Sequence, residues 1–184
     1  MPGDASATPS RALRGEAILA DAVVSELLAA RLVAVLATLE PDGAVHAVPL
    51  WFALDGDAIV FATGSRSRKV RNVERDPRAT LVVHDSRPGF EVCGVSIQGR
   101  VAVVRLPAAE ELIGRVHRRY VSEAGLALAA AREFLAGDDV ALVLSAETAV
   151  TWDERVHPAT QALRDTDGAL ALVPTAPRDG IMGL

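Results

Sequence analysis

Two turn signals, Pro41-Asp42-Gly43 and Asp55-Gly56-Asp57, constrain the fold of this chain more than any other feature. Proline presets φ in the first, and glycine supplies a positive φ in both. Around and between them lie short runs rich in Val, Ala and Leu: residues 32–39, 44–53 and 58–62. These runs are too short for ordinary helices and are bounded as strands are. Three strands joined by tight turns make an antiparallel meander.

The rest of the chain extends that pattern. Upstream, Ile18, Leu19, Ala22, Val23, Leu27 and Leu28 recur at helical spacing, which predicts an amphipathic helix over residues 16–30. Downstream, a short helix is expected after Ser67 as N-cap, with Val70 and Val73 as its apolar edge and Pro77 as its stop. Residues 79–83 read as a fourth strand and 84–90 as a loop. Residues 91–104 read as a long strand in which Gly94 and Gly99 mark a bulge or bend. Pro107 suits a first helical position. Glu110 and Glu111 near that start, with Arg115, Arg118 and Arg119 near the end, complement the helix dipole. Leu112, Ile113, Val116 and Tyr120 form its buried stripe. An Ala-rich helix over 127–135 and closing strands at 140–145 and 149–152 complete the pattern.

The expected fold class is mainly β with helices (α+β), a six-stranded antiparallel barrel, because closure removes exposed sheet edges. Residues 1–15 are expected to be disordered, 16–152 to form the domain and 153–184 to trail as an extended tail.

Composition narrows function mainly by exclusion. Half the residues are hydrophobic but only 4% are aromatic, so the core must be built from Ala, Val and Leu. No apolar run approaches the ~20 residues of a membrane span, and the N-terminus lacks a signal-peptide shape. A single cysteine, Cys93, rules out an internal disulfide framework and agrees with a cytoplasmic location. It reads as a small buried hydrophobe. A net charge of −5 argues against whole-surface attraction to nucleic acid or anionic membrane. His46, His84, His117 and His157 show no metal-ligand spacing and read as structural or exposed, so no metal is expected. Ser145 lacks the Gly-x-Ser-x-Gly context of a nucleophile.

One segment departs from the global charge. Between Phe61 and Arg78 there are six cations (Arg66, Arg68, Lys69, Arg71, Arg75, Arg78) against Glu74 and Asp76, a local balance of +4. Of the chain's 19 basic residues Lys69 is the only lysine. Arginine offers a planar fork and lysine a compact point charge, and together they suit a phosphate monoester. A helix start beside Ser65 and Ser67 adds backbone donors and a favourable dipole. The competing reading is a solvated, Arg-rich helix face. Arg71, Arg75 and Arg78 are assigned to surface charge or to pairing with Glu74 and Asp76. The patch has no interleaved aromatics, which disfavours nucleic acid.

The run Phe61-x-Thr63, Ser67-Arg68-Lys69 and Pro77-Arg78-x-x-Leu81 resembles, without a gap, the flavin-binding split-barrel family. That family includes pyridoxamine 5′-phosphate oxidase and the flavin/deazaflavin oxidoreductases. The resemblance covers residues 32–152 and implies an FMN-binding type of split barrel, assembled as a homodimer with a cofactor at each subunit interface. It implies that Arg68 and Lys69 contact the cofactor phosphate and that Ala62 and Thr63 lie along the cofactor. Residues 47–52, with Val48, Pro49, Leu50 and Trp51 at their centre, would run beside ring and ribityl chain. Trp152 resembles a Trp near the flavin ring.

Three departures separate the chain from the oxidase proper. Phe52 stands where the oxidase has a substrate-phosphate lysine. Pro158 and Thr160 stand where it has an arginine and a histidine, and Ala47 replaces a cofactor arginine. The expectation is an oxidoreductase that binds deazaflavin coenzyme F-420 or FMN and passes hydride to a small conjugated substrate, through a site lined by Pro49, Trp51 or Phe52. The missing arginine at Ala47 tilts the choice toward the deazaflavin. The alternative is a non-catalytic flavin, haem or deazaflavin carrier or sensor on the same barrel.

Overall fold

Branched apolar residues between tight turns form strands because they fill a pleated, half-buried surface. The computed structural model describes residues 10–87, 91–135 and 137–165. Within them one antiparallel sheet has eight strands: β1 (Arg11–Arg14), β2 (Ala34–Leu39), β3 (Val45–Leu50), β4 (Phe52–Asp55), β5 (Ala58–Gly64), β6 (Arg78–Arg87), β7 (Glu91–Val104) and β8 (Asp139–Asp153). The helices are α1 (Ala17–Ala20), α2 (Ala22–Ala29), α3 (Arg68–Arg75), α4 (Glu110–Tyr120), α5 (Glu123–Leu126), α6 (Ala129–Leu135) and α7 (Pro158–Asp165).

The strands run in the order β3-β2-β6-β7-β8-β5-β4, with β1 added on β8. The two ends of that path, β3 and β4, are consecutive in the chain with Trp51 alone between them. A sheet whose ends are tied by one residue cannot lie flat; it curls into a barrel split at that residue. The single strand expected at 44–53 is therefore two. Val45–Leu50 pairs with β2, and Phe52–Asp55 pairs with β5. Phe52 fixes the division, being fully buried directly opposite Phe61, which is fully buried too.

The other differences have equally local causes. The two expected closing strands are one, β8, carried through a bulge. Its pairing passes from Gly99–Ala146 to Gln98–Thr148 and skips Glu147. The side facing the core changes there, from Leu142 and Leu144 to Ala149 and Thr151. Gly99 is required, since an added Cβ would lie 2.1 Å from the Ser145 carbonyl oxygen. The first half of β8 pairs with β5, and β1 covers the same edge of the second half, Thr148 to Thr151. Residues 11–14 are thus ordered by an edge that needs partners, which shortens the expected disordered segment; residues 1–9 lie outside the described residues. Asp21 cuts the expected N-terminal helix in two. Its carboxylate accepts the N–H groups of Val23 (2.9 Å) and Val24 (3.3 Å), capping α2, and also holds Arg11. The loop expected at 84–90 is strand as far as Arg87, and 88–90 lie outside the described residues.

α4 begins at Glu110, after Pro107 rather than at it. The tail does not start as an extended segment. A 3-10 turn, Glu154–Val156, leads into α7, and residues 166–184 lie outside the described residues. Arg155 anchors the turn by pairing with Asp153 (2.8 Å) and with Glu26 of α2 (2.6 Å).

Two apolar clusters hold the fold. The larger lies inside the curl and takes in Leu36, Phe61, Leu81 and Ile97 with Ile18 and Leu27 from the N-terminal helices. The smaller lies under α4, where Ile113 and Val116 meet Ala53, Val60 and Ala141. Across β3, β2, β6 and the far half of β8, the opposite face leaves Val45, Ala47, Pro49 and Val150 exposed, with Val35 and Val82 half-buried. Among the described residues no helix is long and apolar enough to cross a membrane.

Candidate functional site

β5 ends at Gly64, and the chain turns through Ser65 into α3. The turn is tied to the start of β8. The Ser65 N–H donates to the Asp138 carbonyl (2.7 Å) and its hydroxyl to the Asp138 carboxylate, while Gly64 pairs with Asp139. Ser65 is therefore spent on fixing the turn. Ser67 is different. It occupies the N-cap position of α3, yet its side chain caps no helix N–H. Its Oγ is buried with no hydrogen-bond partner. Leaving a buried hydroxyl unsatisfied costs about 1–3 kcal/mol. At a helix start, beside two cations, that hydroxyl suits an oxyanion.

Neighbouring helix residues point about 100° apart, and Arg68 and Lys69 diverge accordingly. Lys69 Nζ donates to Thr63 Oγ1 at 2.8 Å. Partial burial lowers its pKa, and Asp139 opposes that shift. Arg68 leans the other way and stays exposed, with its guanidinium 3.6 Å from Glu40. The outer arginines are engaged elsewhere. Arg78 pairs with Asp76 (2.6 Å), Arg71 donates to the Arg66 carbonyl, and Arg75 donates to the Leu39 carbonyl. Glu74 pairs with Arg105 rather than with any of them (2.5 Å).

Thr63 forms part of an open cavity of about 560 Å³ at the barrel split. Pro49, Leu50 and Trp51 make one wall and Ala62 and Thr63 another. Val116 and His117 of α4, Asp139 of β8 and Leu135 of α6 also line it. Trp51 lies flat on Tyr120, with ring centroids 4.9 Å apart and planes 7° from parallel. Tyr120 is itself fixed, donating its hydroxyl to the Leu32 carbonyl (2.6 Å) and accepting the Phe52 N–H (3.4 Å). The aromatic wall is thus pre-organised. Burial lowers the His117 pKa, opposed by the field of Asp139.

Five of the residues expected from sequence, Pro49, Leu50, Trp51, Ala62 and Thr63, line this cavity, and Lys69 reaches it through Thr63. Val48 is not on its wall; it sits opposite Leu36, on the inward side of β3. Phe52 is buried in the core, so it cannot line a substrate site within this chain. Trp152 lies thirteen residues beyond Asp139 on β8, toward the opposite end of that strand. Its ring covers Gly94, where a Cβ would meet it at 2.2 Å. One chain alone does not bring Trp152 to the cavity. Sequence reasoning missed His117 and Asp139. The spacing of Ile113, His117 and Tyr120 puts the histidine on the inward stripe of α4, a signal outweighed by the absence of metal spacing. Among the described residues no group of three or more His, Cys, Asp or Glu side chains could hold a metal ion.

A curled antiparallel sheet tied end to end at Trp51, with its cavity at the split, defines a split-barrel protein. Residues 20–153 match the family model described as pyridoxamine 5′-phosphate oxidase, and the chain belongs to that family. A conserved hypothetical protein of Mycobacterium tuberculosis is similar in structure. It has a TM-score of 0.62 and 22% identity, over 93% of this chain and 96% of that one. An F420 reductase is similar with a TM-score of 0.52 and 25% identity, over 68% of this chain and 94% of that one. The haem storage protein of Vibrio cholerae shares the fold, with a TM-score of 0.57 and 14% identity, over 71% and 92%. No curated protein matches the chain.

Proposed function

We propose that this protein is an oxidoreductase that binds deazaflavin coenzyme F-420 or FMN by its phosphate and reduces a small conjugated substrate. The observation that carries the reading is the pairing of Lys69, held on Thr63 at the cavity wall, with the buried, unpartnered Ser67 hydroxyl at the adjoining helix start. Both are donors suited to a phosphate oxyanion, and both belong to the gapless family run. Arg68 joins them by leaving Glu40, a 3.6 Å contact that is exposed at its arginine end. The cavity volume falls within the ~300–1,000 Å³ typical of small-molecule sites.

Bound there, the cofactor supplies the hydride chemistry. The chain binds the phosphate at α3 and offers the rigid Trp51–Tyr120 wall to a flat ring. Leu50, Val116 and Leu135 keep that end of the cavity apolar. The deazaflavin is favoured over FMN by the likeness to an F420 reductase and by Ala47 in place of the oxidase arginine. Pyridoxamine phosphate oxidation is disfavoured, because Phe52 replaces the phosphate-binding lysine and is buried.

A homodimer belongs to the same proposal. The exposed Val45, Ala47, Pro49 and Val150 give the sheet an apolar outer face suited to a second copy. A second copy is also the means by which Trp152 could approach a cofactor. The likeness to a haem storage protein supports a second reading, a carrier that binds without turnover. Anaerobic turnover separates the two. Reduced F-420 and reduced FMN are each offered a panel of quinones and conjugated enones, and re-oxidation is followed by absorbance. Saturable turnover with either cofactor supports the enzyme, and saturable binding with no turnover supports the carrier.

A further inference from the structure

We propose that His117 is a ligand-contacting part of the anion site in the split cavity, and that an oxyanion headgroup binds there with uptake of a proton by His117. The inference rests on the reading of this cavity as a phosphate-binding cofactor site and extends it to a residue outside the family run.

Three ionisable side chains meet around Thr63. Lys69 donates to its hydroxyl, and His117 and Asp139 share the cavity wall with it. The field of Asp139 acts on both Lys69 and His117. With His117 neutral, Lys69 and Asp139 cancel on the cavity wall, and the anion meets only the positive charge that Arg68 brings from α3. With His117 protonated the wall itself adds a second positive charge. A dianion therefore stabilises the protonated form, and by linkage the protonated form binds the dianion more tightly.

No other charged group facing α4 replaces this one. β5 contributes no charged residue over Ala58–Gly64. On β4, Asp55 is engaged by Arg115 (3.5 Å); on α4 itself Glu111 holds Arg118 (2.7 Å), Arg119 donates to the Leu28 and Ala30 carbonyls, and Glu110 carries the opposite sign. On α6, Arg132 donates to the Ala127 carbonyl (2.8 Å). Without a ligand, burial favours neutral His117, so the proton arrives with the anion. The sign follows. Affinity is highest at the acidic end and falls as pH rises through the pKa of the bound state, by at most about tenfold per pH unit for one proton. The useful window is about pH 6.5–8, because below about pH 6 the phosphate takes up a proton of its own.

The test is calorimetric titration of the whole chain with FMN, and separately with inorganic phosphate, in two buffers of different ionisation enthalpy. The wild type should take up close to one proton per bound FMN near neutral pH. His117→Gln should still bind, with no uptake and a flat pH dependence. A proton-detected titration of the wild type gives an independent readout: one of the four histidine signals should move to the imidazolium position as ligand is added. Equal uptake in wild type and His117→Gln, or FMN binding with no histidine signal moving, overturns this proposal and leaves the cofactor site standing. Failure of the wild type to bind FMN, F-420 or phosphate overturns the parent reading and this one with it. Uptake with FMN but none with phosphate contradicts a headgroup-coupled proton.

Discussion

Replacing Lys69 with methionine removes one charge and keeps the apolar stem in place. In the free protein Lys69 makes one hydrogen bond, to Thr63, and its half-buried amine gains little from burial, since desolvation lowers its pKa. The Thr63 oxygen loses one donor at a position that lines the open cavity, so the fold should lose no more than about 1 kcal/mol. The bound state loses more. A charge-assisted contact to phosphate is worth about 1.5–3 kcal/mol, which at 1.4 kcal/mol per decade weakens binding roughly ten- to over a hundredfold. FMN affinity is read from quenching of flavin fluorescence and F-420 affinity from its own emission, with circular dichroism and thermal melting as checks on folding. A folded Lys69→Met protein with a Kd within about twofold of wild type for both cofactors would refute the reasoning, because the lone lysine would then lie outside the site.

Other outcomes follow from the same structure. Leu36→Ala, at a fully buried position in the larger cluster, should cost about 2–5 kcal/mol and lower the melting temperature by roughly 4–20 °C in a calorimetric scan. Gly99→Ala drives a methyl against the Ser145 carbonyl at the β8 bulge; its denaturation midpoint should fall by more than that of Gly43→Ala, which meets only backbone strain in an open turn. The Cys93 thiol is fully buried and its pKa is pushed up to about 11 by burial, so the native protein should resist a thiol reagent near pH 8 and react only on denaturation. The folded-state pKa of His117 lies below its unfolded value. Its neutral form is therefore favoured on folding; stability is intact above about pH 6.5 and falls as acidification reaches the range between the two values. His117→Gln should flatten that decline in denaturant midpoints measured between about pH 7 and 5.

The sequence was most legible where punctuation and period agree. Gly43 and Gly56 mark real turns, and residues 91–104 form one strand with its irregularity at Gly99, because such signals act within a few residues. What local pattern could not reveal were events caused at a distance. Trp51 divides residues 44–53 only because the two halves pair with different strands. Arg11–Arg14 becomes a strand only because β8 offers an open edge. The bulge at Glu147 hides the continuity of β8, since it reverses which residues look inward. At the site, Lys69 and Thr63 belong to a contiguous motif, while Pro49, Leu50 and Trp51 were expected there only through the family resemblance. Asp139 comes from a strand about seventy residues away in sequence, and His117 carries no motif. Both required the fold.

The central claim is that a cofactor is held here by its phosphate, and riboflavin against FMN isolates that group. The two differ by the phosphate alone, so fluorescence titrations of the wild type with each, at one ionic strength, measure what Ser67, Arg68 and Lys69 contribute. The account predicts saturable FMN binding at least about tenfold tighter than riboflavin, with the difference shrinking in Lys69→Met. Equal affinity for the two, or no saturable binding of FMN or F-420, would contradict it.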